Sequence, residues 1–298
     1  MSEIPPVSIT VSTVQGWPAI RANIASVEVA AAAAGGEVIV TDGSGHPAPQ
    51  PGELGTTTIW RTDPGASVFK LRSQAYRIAR APIVAITEDH CFVPPDWATR
   101  MLAAHAAHPE AAAIGGSVEN GATQTGFDWA SYFVVQARNA PPIPSGPSDR
   151  VAGAVNVAYK REALERIDDF DGLGAVDVLH QRELQQSGGI LLADDSIRVV
   201  HDQSLGRRGT IAIHYHSGRA FAGFIRNRMD RHAWTLRLGV LVIPYVRFAR
   251  ITSVLRRKGY GTTIGRVWPM ILILLLAQAA GQIVGFLAGT GDSPNRVQ

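Results

Sequence analysis

Hydrophobic and polar positions along the first 120 residues switch repeatedly between two periods. Val7 to Val11 alternates and predicts a first strand. Trp17 to Ala34 has a helical pattern, stopped by Gly35-Gly36. Glu37 to Thr41 is a β-branched strand closed by Asp42-Gly43-Ser44-Gly45, and His46 to Gly55 is a Pro- and Gly-rich loop. Thr57 to Trp60 predicts a short strand and Phe69 to Ala79 a helix. The apolar run Ala81 to Ile86 reads as a buried strand that ends in Glu88-Asp89-His90. Pro94-Pro95 then break the chain, and a helix follows to His108, with Asp96 able to cap it near Trp97. Ala111 to Val118 is a further strand. This β-α-β-α-β order predicts an α/β fold with a doubly wound sheet, in which ligands bind beyond the strand ends.

The rest of the chain is less regular. Ala140 to Ser148 is a loop or lid by composition, and Val151 to Leu164 passes from a small-residue strand into a helix. Phe170-Asp171-Gly172 is turn-rich and leads to Val176-Asp177, followed by a helix over Val178 to Gln186. Ile190 to Ala193 and Ile197 to Val200 predict two short strands, the second ending at His201. Val267 to Gly289 is a run of 23 residues without a charge, with Trp268 near one end. It is long enough to cross a bilayer and predicts a C-terminal transmembrane helix; a buried core helix is the other reading.

The net charge of +3 hides a division that sharpens this picture. Residues 1–206 carry 14 Lys/Arg against 23 Asp/Glu, whereas residues 207–266 carry 13 against one, Asp230. The basic segment is interleaved with Phe221, Phe224, Trp234 and Leu236, which predicts amphipathic helices on an anionic membrane surface. No recognition module for nucleic acid accompanies it, so no nucleic-acid partner is expected. Leu238 to Val246 is apolar but too short to span, and reads as interfacial or re-entrant. Arg256, Arg257, Lys258 and Arg266 precede the long apolar run and only Arg296 follows it, which predicts a single pass with residues 1–266 in the cytoplasm. A lone cysteine, Cys91, excludes an internal disulfide, and the first 25 residues lack a signal-peptide pattern. The expected organisation is a domain over 1–206, a surface segment over 207–266, a span over 267–289 and a tail over 290–298.

Chemistry concentrates at the strand ends. Glu88, Asp89 and His90 suit a hard divalent cation that would in turn hold an anionic ligand such as a diphosphate; a solvated acidic turn is the alternative. The first strand is followed by Ser12-Thr13-Val14-Gln15-Gly16, with neither G-x-G-x-x-G nor a P-loop, which argues against a dinucleotide site.

Six segments in order resemble the family 2 glycosyltransferases, which have the GT-A fold. They are the strand and turn Ser8 to Gln15; Glu37 to Ser44 with its terminal Asp42; Leu71-Arg72-Ser73-Gln74-Ala75; Glu88-Asp89-His90 before Pro95-Asp96-Trp97; Gly153 to Arg161; and Asp169-Phe170-Asp171 before Val176-Asp177. The resemblance implies a GT-A-like doubly wound mixed sheet with helices on both faces, of the membrane-anchored bacterial type. It implies a nucleoside diphosphate sugar donor, with Thr13, Gln15, Asp42, Arg72, Asp89 and Asp171 on the substrate side. Mn²⁺ or Mg²⁺ would be held near Glu88, Asp89, His90 and His201. Asp177 would be the general base of an inverting transfer; as an alternative it caps the helix that follows. The sequence departs from the family pattern at Glu88 and His90, at Val176, and at Arg182-Glu183, where the usual Arg is displaced. The Q-x-x-R-W motif of processive relatives is missing, so transfer of a single sugar to a lipid-linked or amphiphilic acceptor is expected. The rival readings are a drifted nucleotide-sugar-binding or scaffolding protein, and a sugar nucleotidyltransferase, whose Gly-rich basic loop this sequence lacks.

Overall fold

A computed structural model of the protein describes residues 3–167, 177–226 and 242–297, apart from the side chains of Asp177 and Val178. The chain divides into two units, Met1–Glu119 with Pro141–Asp202, and Asn120–Ala140 with Gln203–Gln298.

The first unit is built on a mixed sheet. Its strands are β1 (Val7–Thr13), β2 (Glu37–Asp42), β3 (Thr58–Thr62), β4 (Ile83–Glu88), β5 (Cys91–Phe92), β6 (Ala111–Asn120), β7 (Gly146–Pro147), β8 (Val157–Lys160) and β9 (Ile190–His201). They run in the order β3-β2-β1-β4-β8-β6-β9-β5, with β7 paired to β9. The pairs β3/β2, β2/β1 and β1/β4 are parallel, and β8 is antiparallel to β4 and β6. Helices α1 (Arg21–Ala33), α2 (Val68–Ile78), α3 (Trp97–Ala107), α5 (Arg161–Leu164) and α6 (Asp177–Gln186) complete this unit, and α4 (Gly126–Gln136) belongs to the second. The β-branched runs Val7 to Val11, Val38 to Val40 and Val84 to Ile86 are buried, as central parallel strands covered on both faces must be.

Register positions the functional edge. Thr13 lies opposite Asp42, and Ser12 opposite Glu88, so the carboxyl ends of β1, β2 and β4 are level. One buried hub ties the antiparallel half together. Asn156 Oδ1 accepts from Trp97 Nε1 at 2.9 Å, while its Nδ2 donates to the carbonyls of Ser117 at 2.8 Å and Ile197 at 3.0 Å. Gly116 allows β6 to approach β9 this closely, since a Cβ there would collide with the Ile197 carbonyl.

The elements depart from the sequence pattern at four places. Helix α1 starts at Arg21, after a turn in which Arg21 N donates to the Pro18 carbonyl at 3.1 Å. The two short strands expected over 190–200 form one strand, β9. The polar break at Asp194-Asp195 is satisfied by residues far off in sequence: Asp195 Oδ1 accepts from Ile143 N at 2.9 Å, and Asp195 N donates to Ser145 Oγ at 3.1 Å. Residues 151–156 form no strand, because the Gln181 side chain takes both the N–H and the carbonyl of Val151. Helix α4 has no counterpart in the apolar pattern. It begins at a capping box in which Thr125 N donates to Asp128 Oδ2 at 2.7 Å and Asp128 N donates to Thr125 Oγ1 at 3.2 Å.

The second unit is helical: α4, α7 (Gly206–Ile225), α8 (Ile243–Arg257) and α9 (Gly261–Ala288), followed by a short 3₁₀ turn over Ser293–Arg296. Helix α9 packs against α7, α4 and α8. It is long and apolar enough to cross a membrane, with a third of its most apolar stretch buried. Trp234, Leu236 and residues 238–241 of the basic segment lie outside the described residues.

Candidate active site and metal centre

Thr13 closes β1 and starts the site. Its Oγ1 donates to Asp89 Oδ2 at 2.6 Å and accepts from the N–H groups of Gln15 at 3.0 Å and Gly16 at 3.3 Å. One hydroxyl thus ties the turn after β1 to the turn after β4. The second oxygen of Asp89 lies 2.8 Å from His90 Nδ1. A hydrogen bond there makes Nδ1 the donor and leaves His90 Nε2 facing inward, where it meets Glu88 Oε2 at 3.2 Å and His201 Nε2 at 2.9 Å.

His201 is brought in from 111 residues away by strand pairing. β5 is antiparallel to the end of β9, with Cys91 opposite His201, and Asp202 N donates to the His90 carbonyl at 2.9 Å. The two imidazoles meet edge to face with centroids 4.5 Å apart. His201 Nε2 lies 3.7 Å from Glu88 Oε2. The other Glu88 oxygen accepts from the Arg72 guanidinium at 2.7 Å, so helix α2 holds the carboxylate with Oε2 turned to the histidines.

Electrostatics separates the two histidines. Burial disfavours charge on His90, but the hydrogen bonds and charges of Asp89 and Glu88 outweigh it and raise its pKa to about 9. Burial and the neighbouring His90 charge lower His201 to about 4. His90 as imidazolium therefore donates Nε2–H to the neutral Nε2 of His201, which accounts for the 2.9 Å approach. Burial pushes Glu88 upward, yet His90, Arg72 and His201 together hold it well below the usual carboxylate range.

The donor set fits a divalent cation. Glu88, His90 and His201 each offer one atom, and the three atoms form a triangle of 2.9, 3.2 and 3.7 Å. Neighbouring donors on an ion with bonds of about 2.1 Å are spaced similarly. A cation there would take the place of the shared proton. Two imidazoles and one carboxylate favour a softer ion than Mg²⁺, and Mn²⁺ tolerates the mixture. Asp89 does not join the triangle; it orients His90 from behind.

Asp42 ends β2 on the same sheet edge, with β1 between it and β4. It is 1% exposed; Oδ1 accepts from Ser44 N at 2.8 Å, and the buried Oδ2 has no hydrogen-bond partner among the described residues. An unsatisfied buried acceptor costs about 1–3 kcal/mol, which a ligand donor would recover. Gln15 is half-buried in the turn after β1. Asp177 opens α6, but its side chain, like Asp171, lies outside the described residues. His180 is a neighbour that sequence reasoning missed. It is buried on α6, and burial and the charge of Arg72 lower its pKa to about 4. Its only sequence signal is its place three residues after Asp177.

No protein-family model matches the sequence. No curated protein matches it either. Among solved structures, the mannosyltransferase PcManGT from Pyrobaculum calidifontis, in complex with GDP-Man and Mn²⁺, aligns over 96% of this chain and 88% of that chain, with a TM-score of 0.58 and 18% identity. The fold is GT-A-like. GalNAc-T7, solved with UDP, GalNAc and Mn²⁺, aligns over 68% of this chain and 44% of that one, with a TM-score of 0.48 and 17% identity.

Within this fold the sheet edge carries two groups: a triad able to hold a cation, and an acid, Asp42, one strand beyond β1, with an acceptor oxygen that has no partner among the described residues. A cation beside an acceptor of N–H or O–H groups suits a ligand that carries both an anionic and a hydrogen-bonding end.

Proposed function

We propose that the protein is a metal-dependent, inverting glycosyltransferase that moves one sugar from a nucleoside diphosphate sugar to a hydroxyl of a lipid-linked or amphiphilic acceptor. The observation that carries the reading is the Glu88–His90–His201 triangle level with the orphaned oxygen of Asp42. Asp42 accepts hydrogen bonds from the nucleoside. Thr13 and the Gln15 turn shape the floor beneath it, and Arg72 keeps Glu88 aimed. A divalent cation held by Glu88, His90 and His201 would neutralise the diphosphate leaving group as a Lewis acid.

Asp177 takes the proton from the acceptor hydroxyl as its oxygen attacks the anomeric carbon. The bond from that carbon to the diphosphate oxygen breaks on the opposite face, which inverts the centre. Helix α6 holds its place through Gln181, whose amide grips Val151. The amphiphilic acceptor is inferred from the apolar α9 and the basic segment of the same chain. The solved neighbour's complex with GDP-Man and Mn²⁺ supports the donor class and the metal.

The ion pair between Arg72 and Glu88 favours one second reading. A guanidinium fixed beside the carboxylate suits a protein that binds nucleotide sugars without turning them over. Donor binding and donor hydrolysis, measured with and without Mn²⁺ for the wild type and Asp177→Asn, separate the two. The proposal expects Mn²⁺-dependent turnover that falls at least about 100-fold in the variant, with donor binding kept. Binding without turnover in the wild type supports the second reading, and equal turnover in the two proteins removes Asp177 from the mechanism.

A further inference from the structure

Helix α9 has two faces. One is packed by α7, α4 and α8, and by α7 at backbone distance: a Cβ on Gly281 would collide with the Tyr215 carbonyl, and one on Gly218 with the Gln278 carbonyl. α7 and α9 therefore share one depth in any surroundings. The other face carries an exposed apolar stripe of Trp268, Ile273, Leu276, Ile283 and Leu287.

Charged groups sit within this assembly and at both of its ends. Gln278 lies near the midpoint of the uncharged run, and Arg247 of α8 donates to its side-chain carbonyl. Lys258 begins the α8–α9 connection and binds the carbonyls of Arg138 and Ala140. The exposed Arg250 lies on α8 between Arg247 and that connection. At the far end, Arg219 of α7 donates to the Gly289 carbonyl at 3.2 Å, and His216 Nδ1 lies 3.0 Å from Ser293 Oγ. If α9 crossed a bilayer, it would take Arg247 to mid-depth and leave Arg250 facing hydrocarbon, and ionised groups at that depth are strongly disfavoured.

We infer that α9 lies in the plane of an anionic bilayer, with its exposed stripe sunk into the headgroup–acyl boundary and the helix group riding on one leaflet. Trp268 suits that boundary, as interfacial indoles do. Arg250, Arg256, Arg257 and Arg266, all exposed, reach anionic headgroups, and residues 207–266 have 13 basic residues against one acid. The occupant of the apolar stripe is thus a lipid surface, and its charge complement is on the same unit. Both ends of α9 lie on one side of the membrane.

The test labels those ends. Thr262→Cys and Asn295→Cys, each in a Cys91→Ala background of the full chain, are expressed and treated with a membrane-impermeant maleimide in sealed vesicles of known orientation. Both sites are expected to label from the same face. Labelling from opposite faces overturns the inference in favour of a span. In a second arm, purified full-length protein is mixed with vesicles of neutral lipid, with or without phosphatidylglycerol. Leu276→Lys and the pair Arg256→Glu with Arg257→Glu should each weaken binding to the anionic vesicles about tenfold or more, the pair only at low salt. Unchanged binding in Leu276→Lys, or a stable dimer by light scattering that this substitution dissolves, overturns the lipid assignment.

Discussion

Two carboxylates at opposite edges of one sheet, Glu37 on β2 and Glu88 on β4, have opposite surroundings. Glu37, at the start of β2, is closed off: Ser8 Oγ donates to Oε1 at 2.7 Å, and Arg80 donates to Oε2 at 2.7 Å and through its backbone N–H to Oε1 at 3.3 Å. Burial raises its pKa, but these partners prevail and lower it. Glu88, at the end of β4, also has an arginine, yet its second oxygen faces a cluster of imidazoles that compete for one proton. Asp42, at the far end of the strand that Glu37 begins, keeps an oxygen with no partner among the described residues. The amino edge of the sheet spends its charges on the fold, and the carboxyl edge leaves donor atoms for something else. Burial alone does not distinguish a structural carboxylate from a functional one; the remaining hydrogen-bonding capacity does.

The comparison breaks if the wrong edge controls ligand binding. The largest effect is expected for His201→Ala, which should lower Mn²⁺ affinity by more than about 100-fold, as loss of a ligand exceeds the cost of losing an outer partner. Because His201 accepts from the His90 imidazolium, its removal should also cost about 1–3 kcal/mol of stability in the metal-free protein, which a melting curve would check. Asp89→Asn should lower Mn²⁺ affinity by about 10–100-fold, by loosening the orientation of His90. A full loss of binding there would make Asp89 a ligand. Glu37→Gln should cost about 2 kcal/mol of stability in urea, the scale of hydrogen bonds to a charged group, with no change in Mn²⁺ affinity.

pH sharpens the contrast. His90 holds its proton to about pH 9 in the folded protein, against 6.5 ordinarily. The stability it brings is complete below about pH 6.5 and is lost as pH rises through 9. A cation competes with that proton, so Mn²⁺ affinity should rise by up to about tenfold per unit between pH 6.5 and 9 and then level off. His201, lowered to about 4, stays neutral across that window. A flat profile by calorimetric titration would mean that His90 is not a ligand.

The sheet edge was legible because parallel strands leave a clear mark: β-branched runs that stop at polar residues. Asp42, Glu88, Asp89, His90 and His201 all stand at such stops. What was illegible depends on distant partners. The continuity of β9 rests on Asp195 meeting Ile143 and Ser145, and the loss of a strand at 151–156 rests on Gln181. Neither leaves a local pattern. The division of labour inside Glu88-Asp89-His90 was equally hidden, since Thr13 and His201 decide which side chains turn inward. In the second unit the uncharged run was plain, but its one-sided packing follows from Gly218 and Gly281 meeting the backbone of the facing helix.

The most direct test of the central claim is a Mn²⁺ titration followed by electron paramagnetic resonance, on the wild type and His201→Ala, repeated with a panel of nucleoside diphosphate sugars. The account predicts one Mn²⁺ per wild-type chain, nitrogen coupling from imidazole, donor binding only when the ion is present, and loss of both in the variant. Donor binding that is indifferent to Mn²⁺, or an ion that remains bound in His201→Ala, would contradict it.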